Sequence, residues 1–352
     1  MSEIKEKRSP VNNKRDGARR VVAAERGDTA PTENVQAVED FVVSSATYAA
    51  QQPLVQVALG LLDGVPASIK DLSLVTGWPT RKGSLTTSDE PATEDSPVVA
   101  RLREAGSVLL GKTTTPEQGW KGLCDSPLSG DTRNPWDPTR TPGGSSGGAS
   151  VAAITGMAAL NVGSDGGGSI RMPSAFCGTF GLKATHALVP LYPPGGSGLL
   201  SHVGPITRTV RDCAHMMAAV AGPDPREIYP TQDDESSWLA GLEDGVAGMR
   251  IAYSPTYGGA SVDPQIADAV RRTAHLLEHL GAEIEEVDPG HPDCRDAFLV
   301  LWDAALGRIV DPLTDEQRAL CDPGLIATWE RGRELTAFDF LEADAMRAAA
   351  TL

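Results

Sequence analysis

Residues Gly143–Phe180 read GGSSGGASVAAITGMAALNVGSDGGGSIRMPSAFCGTF. Two glycine-serine clusters, Gly143–Gly148 and Gly166–Ser169, flank an apolar run rich in alanine. Glycine this dense predicts a backbone bent tightly around something, because glycine lets a ligand approach the main chain and takes positive φ freely. A helix starting near Ser145 places Ala149, Ala152, Ala153 and Met157 at helical spacing. Its unpaired N–H groups and the positive end of its dipole then point at the first cluster. Asn161-Val162-Gly163 reads as a short buried strand that leads into the second. This makes Ser169 the candidate nucleophile and Ser145 its proton relay. Backbone N–H groups of Gly166, Gly167 and Gly168 are candidate donors to an oxyanion.

A serine hydroxyl attacks poorly until a neighbour takes its proton. Upstream, Asp63-Gly64 marks a turn and Val65–Leu72 alternates like a strand, with Lys70 inside an otherwise apolar segment. Local pattern alone favours an exposed edge position for this lysine. Buried, it would lose several units from its ordinary pKa near 10.4 and act as a neutral base.

Two other motifs weigh less. Gly106 to Thr113 fits the phosphate-loop pattern GxxxxGK[ST]. Its interior is apolar and strand-like, a helix (Ser96–Ala105) precedes it, and Thr114-Thr115-Pro116 follows where a helix should start. Gly144 to Gly148 fits GxSxG around Ser146, yet Pro138 to Pro142 stands where the required strand should be.

Further along, Val210–Ala221 reads as a helix and Met249–Tyr253 as a strand. Pro264–Leu280 is an amphipathic helix, with Ile266, Val270, Leu277 and Leu280 expected inward. Gly281 caps it and Ala282–Val287 is the next strand, which completes a parallel β-α-β unit. The last fifty or so residues are helical in character. A helix is also expected around Val35–Gln52, after a polar tail over 1–34 expected to be disordered.

The chain has 352 residues, 40% of them hydrophobic, and a formal net charge of −16. That charge argues against nucleic acid as a partner. No apolar stretch is long enough for a membrane helix, and no targeting signal is read. Five widely spaced cysteines without a CxxC argue against a disulfide framework or zinc site and fit free thiols in a reducing, cytoplasmic setting. His275 and His279 stand one helical turn apart without an acidic third ligand, so no metal is expected there.

Taken together, Gly64-Val-Pro-x-Ser-Ile-Lys70-Asp-Leu, Gly111-Lys-Thr-x-x-Pro-Glu, Thr132-Arg-Asn-Pro-Trp, Pro142-Gly-Gly-Ser-Ser-Gly-Gly and Gly163-Ser-Asp-x-Gly-Gly-Ser-Ile-Arg-x-Pro-Ser-Ala-Phe-Cys-Gly resemble the amidase signature family. The likeness runs in order from about Gly64 to Ala221. It implies an α/β fold with a mixed twisted central sheet surrounded by helices, as one domain over 35–352 that lacks the family's usual C-terminal part. It also implies a Ser–cisSer–Lys triad, falling on Ser169, Ser145 and Lys70, that cleaves amide C–N bonds through an acyl-enzyme. Under this likeness Lys70 becomes a buried base and Lys112 structural. Asp165 and Arg171 become an ion pair shaping the turn, and Ser146 a hydrogen-bonding neighbour. The implied partner is a small-molecule amide, carbamate or anilide, with no cofactor and with a homodimer left open. The competing readings are a glutamine-hydrolysing amidotransferase component, an α/β-hydrolase, and a non-catalytic anion-binding form. One departure is Gly166, where the family often has Thr or Ile.

Overall fold

The computed structural model describes residues 60–229 and 237–350. The tail over 1–34 and the helix expected around Val35–Gln52 lie outside the described residues. The chain divides into two compact units. One runs up to Trp238 and takes in Thr314–Leu325; the other comprises Leu239–Leu313 and Ile326–Leu352.

The first unit is built on a mixed sheet. In chain order its elements are β1 (Pro66–Lys70), α1 (Pro97–Glu104), β2 (Val108–Thr113), the hairpin β3 (Asp125–Ser126) and β4 (Gly130–Asp131), α2 (Gly147–Ile154), β5 (Leu160–Asp165), α3 (Arg171–Cys177), β6 (Phe180–Gly181), β7 (His202–Thr207) and α4 (Val210–Val220). The sheet order is β2-β1-β5-β7-β6. β1 runs parallel to both neighbours, and β7 is antiparallel to β5 and β6. The mixed central sheet flanked by helices is the fold expected from the sequence.

β1 carries Ala67 and Ile69 into a core with Leu160 and Val162 of β5, Val98, Val99 and Leu102 of α1, and Met216, Met217 and Val220 of α4. Burying an aliphatic side chain of this size contributes roughly 1.5–3 kcal/mol, so these residues hold the sheet and its covering helices together. Pro97 opens α1 at a position where its missing N–H costs nothing. Thr209 caps α4 by accepting the Asp212 N–H. The register Ile69↔Val162 brings the C-terminal ends of β1 and β5 side by side. Lys70 and Ser164 therefore meet at one edge of the core.

α2 packs by smallness. Ala149 and Ala153 are fully buried against Ile170 and Ile206. A Cβ on Gly148 would stand 2.4 Å from Thr114 Oγ1 and 2.5 Å from its backbone nitrogen, so only glycine lets the helix start this close to the end of β2.

The second unit contains β8 (Arg250–Tyr253), α5 (Pro264–His279), β9 (Glu283–Glu286) and α6 (Arg295–Val310). β8 and β9 pair in parallel with α5 between them in sequence, which is the β-α-β unit expected. The short α7 (Asp315–Arg318) belongs to the first unit, α8 (Pro323–Glu334) starts there and continues into the second, and α9 (Ala337–Ala349) packs on α6. Buried Asp303 of α6 accepts both Arg331 Nε at 2.7 Å and Nη2 at 2.9 Å, a bidentate pair that ties α8 to α6.

One expectation is corrected here. Of the four residues expected to face inward on α5, Ile266 is 58% exposed, Val270 49% and Leu280 57%, while Leu277 is half-buried. α5 has no buried residue at all. The reason is geometric: a two-stranded sheet is narrower than the apolar stripe of a sixteen-residue helix. Among the described residues of this unit no second layer meets the remainder.

No described helix is long and apolar enough to cross a membrane.

Candidate active site

Lys70 ends β1 with no solvent exposure. Its Nζ donates to Ser145 Oγ at 2.7 Å, Ser146 Oγ at 2.8 Å and Ser164 Oγ at 2.9 Å. The exposed reading that local pattern favours for Lys70 is therefore replaced by full burial among three hydroxyls. Burial pushes its pKa down from 10.5 to about 7, against the opposing pull of Cys124 and Asp165. Near neutral pH a substantial fraction of the amine is then unprotonated.

The hydroxyls around Lys70 are not equivalent. Ser146 Oγ donates to the Ser164 carbonyl at 3.0 Å and accepts the Ser164 N–H at 3.1 Å. With its proton held there, Ser146 can only accept from Lys70. Among the described residues Ser145 Oγ makes no bond of this kind to the backbone, which leaves its proton available to the lone pair of a neutral amine. The Gly144–Ser145 peptide bond is cis. Ser145 directly precedes the cap residue of α2, so the helix begins at the site as expected.

Ser164 is a partner of Lys70 that the sequence reading missed. The signal was available in the strand pairing: a parallel register of Ile69 with Val162 carries Ser164 to the end of β1.

Asp165 organises the next turn. Its Oδ1 accepts the Gly168 N–H at 2.7 Å, and its Oδ2 accepts the N–H groups of Ile170 at 3.0 Å and Arg171 at 3.3 Å. The Arg171 guanidinium adds Nε to Oδ2 at 3.0 Å and Nη2 to Oδ1 at 2.9 Å. Burial alone would raise this carboxyl. The Arg171 hydrogen bonds and the backbone N–H groups outweigh it and hold the pKa at about 2. This is the turn-shaping pair expected.

The same geometry corrects one expected oxyanion donor. The Gly168 N–H is taken by Asp165, because a buried carboxylate draws in the nearest donors. Gly166 and Gly167 make no such bond to Asp165. Ser169 is buried, and its carbonyl accepts the Ser146 N–H at 3.1 Å. That bond joins the second cluster to the first. Both clusters and Lys70 thus form one corner of the unit, although Lys70 precedes them by a long stretch of chain.

The remaining motifs resolve structurally. Lys112 Nζ reaches Asp71 Oδ1 at 3.2 Å, the Ser73 carbonyl at 2.7 Å and Thr80 Oγ1 at 3.1 Å. It braces a loop from within β2, and α1 precedes that strand where a phosphate loop would need a strand before it and a helix after it. Ser146 follows a non-strand segment and bonds Lys70 rather than a histidine. His275 sits on the exposed surface of α5, with Nδ1 2.9 Å from Glu278 Oε2. Among the described residues no cluster of three or more His, Cys, Asp or Glu has the arrangement to hold a metal ion. All five cysteines are free thiols.

Comparison with known proteins points the same way. A family model described as Amidase matches residues 28–318. An acylamidase of Rhodococcus erythropolis is 39% identical over 317 residues, spanning 89% of this chain and 66% of the relative. A glutamyl-tRNA(Gln) amidotransferase component of Moorella thermoacetica is 37% identical over 287 residues, spanning 78% of this chain and 59% of the relative. The chain thus spans about two thirds or less of the length of these relatives. Among solved structures, a bacterial aryl acylamidase of the amidase signature enzymes superposes with a TM-score of 0.79 at 27% identity, over 94% of this chain and 75% of the other. The 6-aminohexanoate cyclic dimer hydrolase with substrate bound gives 0.77 at 25% identity, over 94% and 74%.

Proposed function

We propose that this chain, which belongs to the amidase family, hydrolyses carboxylic amides through an acyl-enzyme on Ser169. The observation that carries this reading is Lys70: a fully buried amine with a pKa near 7, bonded at 2.7 Å to the hydroxyl of Ser145.

In this reading neutral Lys70 draws the proton of Ser145 as Ser145 draws that of Ser169. Ser169 Oγ then attacks the amide carbonyl carbon. Negative charge develops on the carbonyl oxygen, where the N–H groups of Gly166 and Gly167 are the remaining glycine donors; one such donor is typically worth about a hundred- to a thousand-fold in rate. The proton returns through Ser145 to the leaving nitrogen, the C–N bond breaks and the amine departs. Water attacks the ester on Ser169 with its proton passing back along the same relay, and the acid is released.

Acyl amides and anilides are the proposed substrate class. This is supported by likeness to an acylamidase and to an aryl acylamidase structure. A second reading, a glutamine-hydrolysing amidotransferase component, is favoured by the 37% identity to such a protein. Hydrolysis of a panel of aliphatic amides, anilides and glutamine separates the two. The first reading expects turnover of anilides that is abolished in Ser169→Ala. Turnover of glutamine alone would select the second, and an active Ser169→Ala would overturn both.

A further inference from the structure

The 117–120 turn holds a buried acidic side chain that the relay itself does not use. Glu117 is fully buried. Its Oε1 accepts the Ser84 hydroxyl at 2.5 Å, and its Oε2 accepts the Asp322 N–H at 2.6 Å. The two partners come from separate stretches of chain: the 82–86 loop and the Thr314–Leu325 segment of the same unit. Around this anchor the chain makes a single 3₁₀ turn, Glu117–Gly119. The Gln118 N–H donates to the Lys82 carbonyl at 2.7 Å, the Gly119 N–H to the Pro116 carbonyl at 2.9 Å and the Trp120 N–H to the Glu117 carbonyl at 3.2 Å. Gln118 sits at φ 53°, a left-handed conformation that a residue with a side chain keeps only where its surroundings over-determine it.

The turn ends against the relay. A methyl placed on Gly119 would stand 3.2 Å from Ser145 Oγ and 3.0 Å from Leu72 Cδ1. Gly119 is therefore the wall behind the hydroxyl that Lys70 contacts. The neighbouring segment is braced a second time: Lys121 Nζ bonds Asp125 Oδ2 at 2.7 Å and Asp322 Oδ2 at 2.6 Å.

We propose that Glu117 is a positioning residue for the Lys70–Ser145 pair, clamping the 117–120 turn against Ser145 Oγ so that the hydroxyl stays on the amine and water stays out. The inference rests on the acyl-enzyme reading above. Apart from Glu117 itself, the charged or titratable groups around the two ends of this arrangement are Cys124 and Asp165 around Lys70, and Cys321, Asp322, Lys121 and Arg318 around Glu117. None of these is altered by the substitutions below.

The test is the rate constant for labelling of Ser169 by a serine-directed phosphonate, followed by mass spectrometry across pH 5–10 in the parent, Glu117→Gln, Glu117→Ala and Ser84→Ala. A glutamine can accept from the Asp322 N–H through its oxygen and donate to Ser84 Oγ through its nitrogen, so it preserves both ties. The alanine variant is expected to lose about ten- to a hundred-fold in maximal rate, the scale of a small misplacement of a reacting group. Its acid limb should move above the parent's, because water beside Lys70 stabilises the ammonium. Glu117→Gln should stay within about three-fold of the parent with the parent's limb, and Ser84→Ala should fall between, on the same scale.

An alanine variant with the parent's rate and limb overturns the proposal. So does one in which a smaller fraction labels but does so at the parent's rate and limb, which is the mark of a scaffold role. A glutamine variant as impaired as alanine also overturns it. If Glu117→Ala does not fold, Ser84→Ala carries the test, and its matching the parent in rate and limb overturns the clamp. Absence of Ser169 labelling in the parent refutes the acyl-enzyme reading itself, a result distinct from all of these.

Discussion

Two helices of this protein reverse what their sequences promise. α5 is long, strongly amphipathic and easily read, yet it buries none of its residues. α2 is half its length and has hardly any apolar stripe, yet six of its eight residues are buried. The difference lies in what each helix meets. α5 faces two short strands that cannot cover its stripe. α2 uses glycine and alanine to come within contact of β2, β5 and β7, and side-chain size substitutes for patterning. An apolar stripe says where a partner would fit; small residues at close approach say where the backbone itself is needed. The proposed relay stands at the second kind of place.

The contrast breaks most directly at the relay. Lys70→Ala and Ser169→Ala should each reduce amide hydrolysis by roughly 10⁴-fold or more, because members of one catalytic unit are not replaceable singly. Both variants should keep the parent's far-ultraviolet circular dichroism. A Lys70→Ala protein that hydrolyses amides at more than a tenth of the parental rate would mean that the buried corner is packing alone.

The same kind of substitution placed in the two regions gives a second measure of the difference. Ile69→Ala, in the core of β1, should cost about 2–5 kcal/mol of stability. Ile266→Ala, on the exposed stripe of α5, should stay within about 0.5 kcal/mol. Equilibrium denaturation of the two variants measures both. A large loss at Ile266 would show that the stripe is covered in solution.

A smaller effect tests the turn. Asp165 has its pKa lowered from 3.8 to about 2, so its folded form favours the charged carboxylate. The stability it contributes is fully present above about pH 4 and is lost as pH falls from there through 2, on the order of 1–2 kcal/mol. Asp165→Asn should flatten that part of the acid-denaturation profile. An unchanged profile would mean that Arg171 and the turn N–H groups do not hold the carboxylate.

Much of this was legible in the residues. Linked motifs from Gly64 to Ala221 implied the mixed sheet and its triad, and the alternation of β1 together with Asn161-Val162-Gly163 placed two central strands. The burial of Lys70 was not legible locally, since a lysine in an apolar strand is ordinarily at an edge. Its surroundings come from β5 and α2, long after it in sequence. Gly168 was misread as a free donor because three consecutive glycines look alike until the Asp165 carboxylate folds back on one of them. Glu117 lay inside a quoted motif, but its partners Ser84 and Asp322 stand far from it in the chain. The inward face of α5 failed for the opposite reason: periodicity was correct and the covering layer was absent among the described residues of that unit.

The central claim is that Lys70, as a neutral amine, activates Ser169 through Ser145. Its most direct test is the pH dependence of acylation of Ser169 by a reactive anilide, read as the mass of the Ser169 peptide in single-turnover quench experiments. The account predicts an acyl adduct on Ser169 whose rate rises about ten-fold per pH unit below neutrality and levels off above about pH 7, as the lowered pKa of Lys70 requires. An adduct on another serine, or a rate that keeps rising to pH 10, would contradict it.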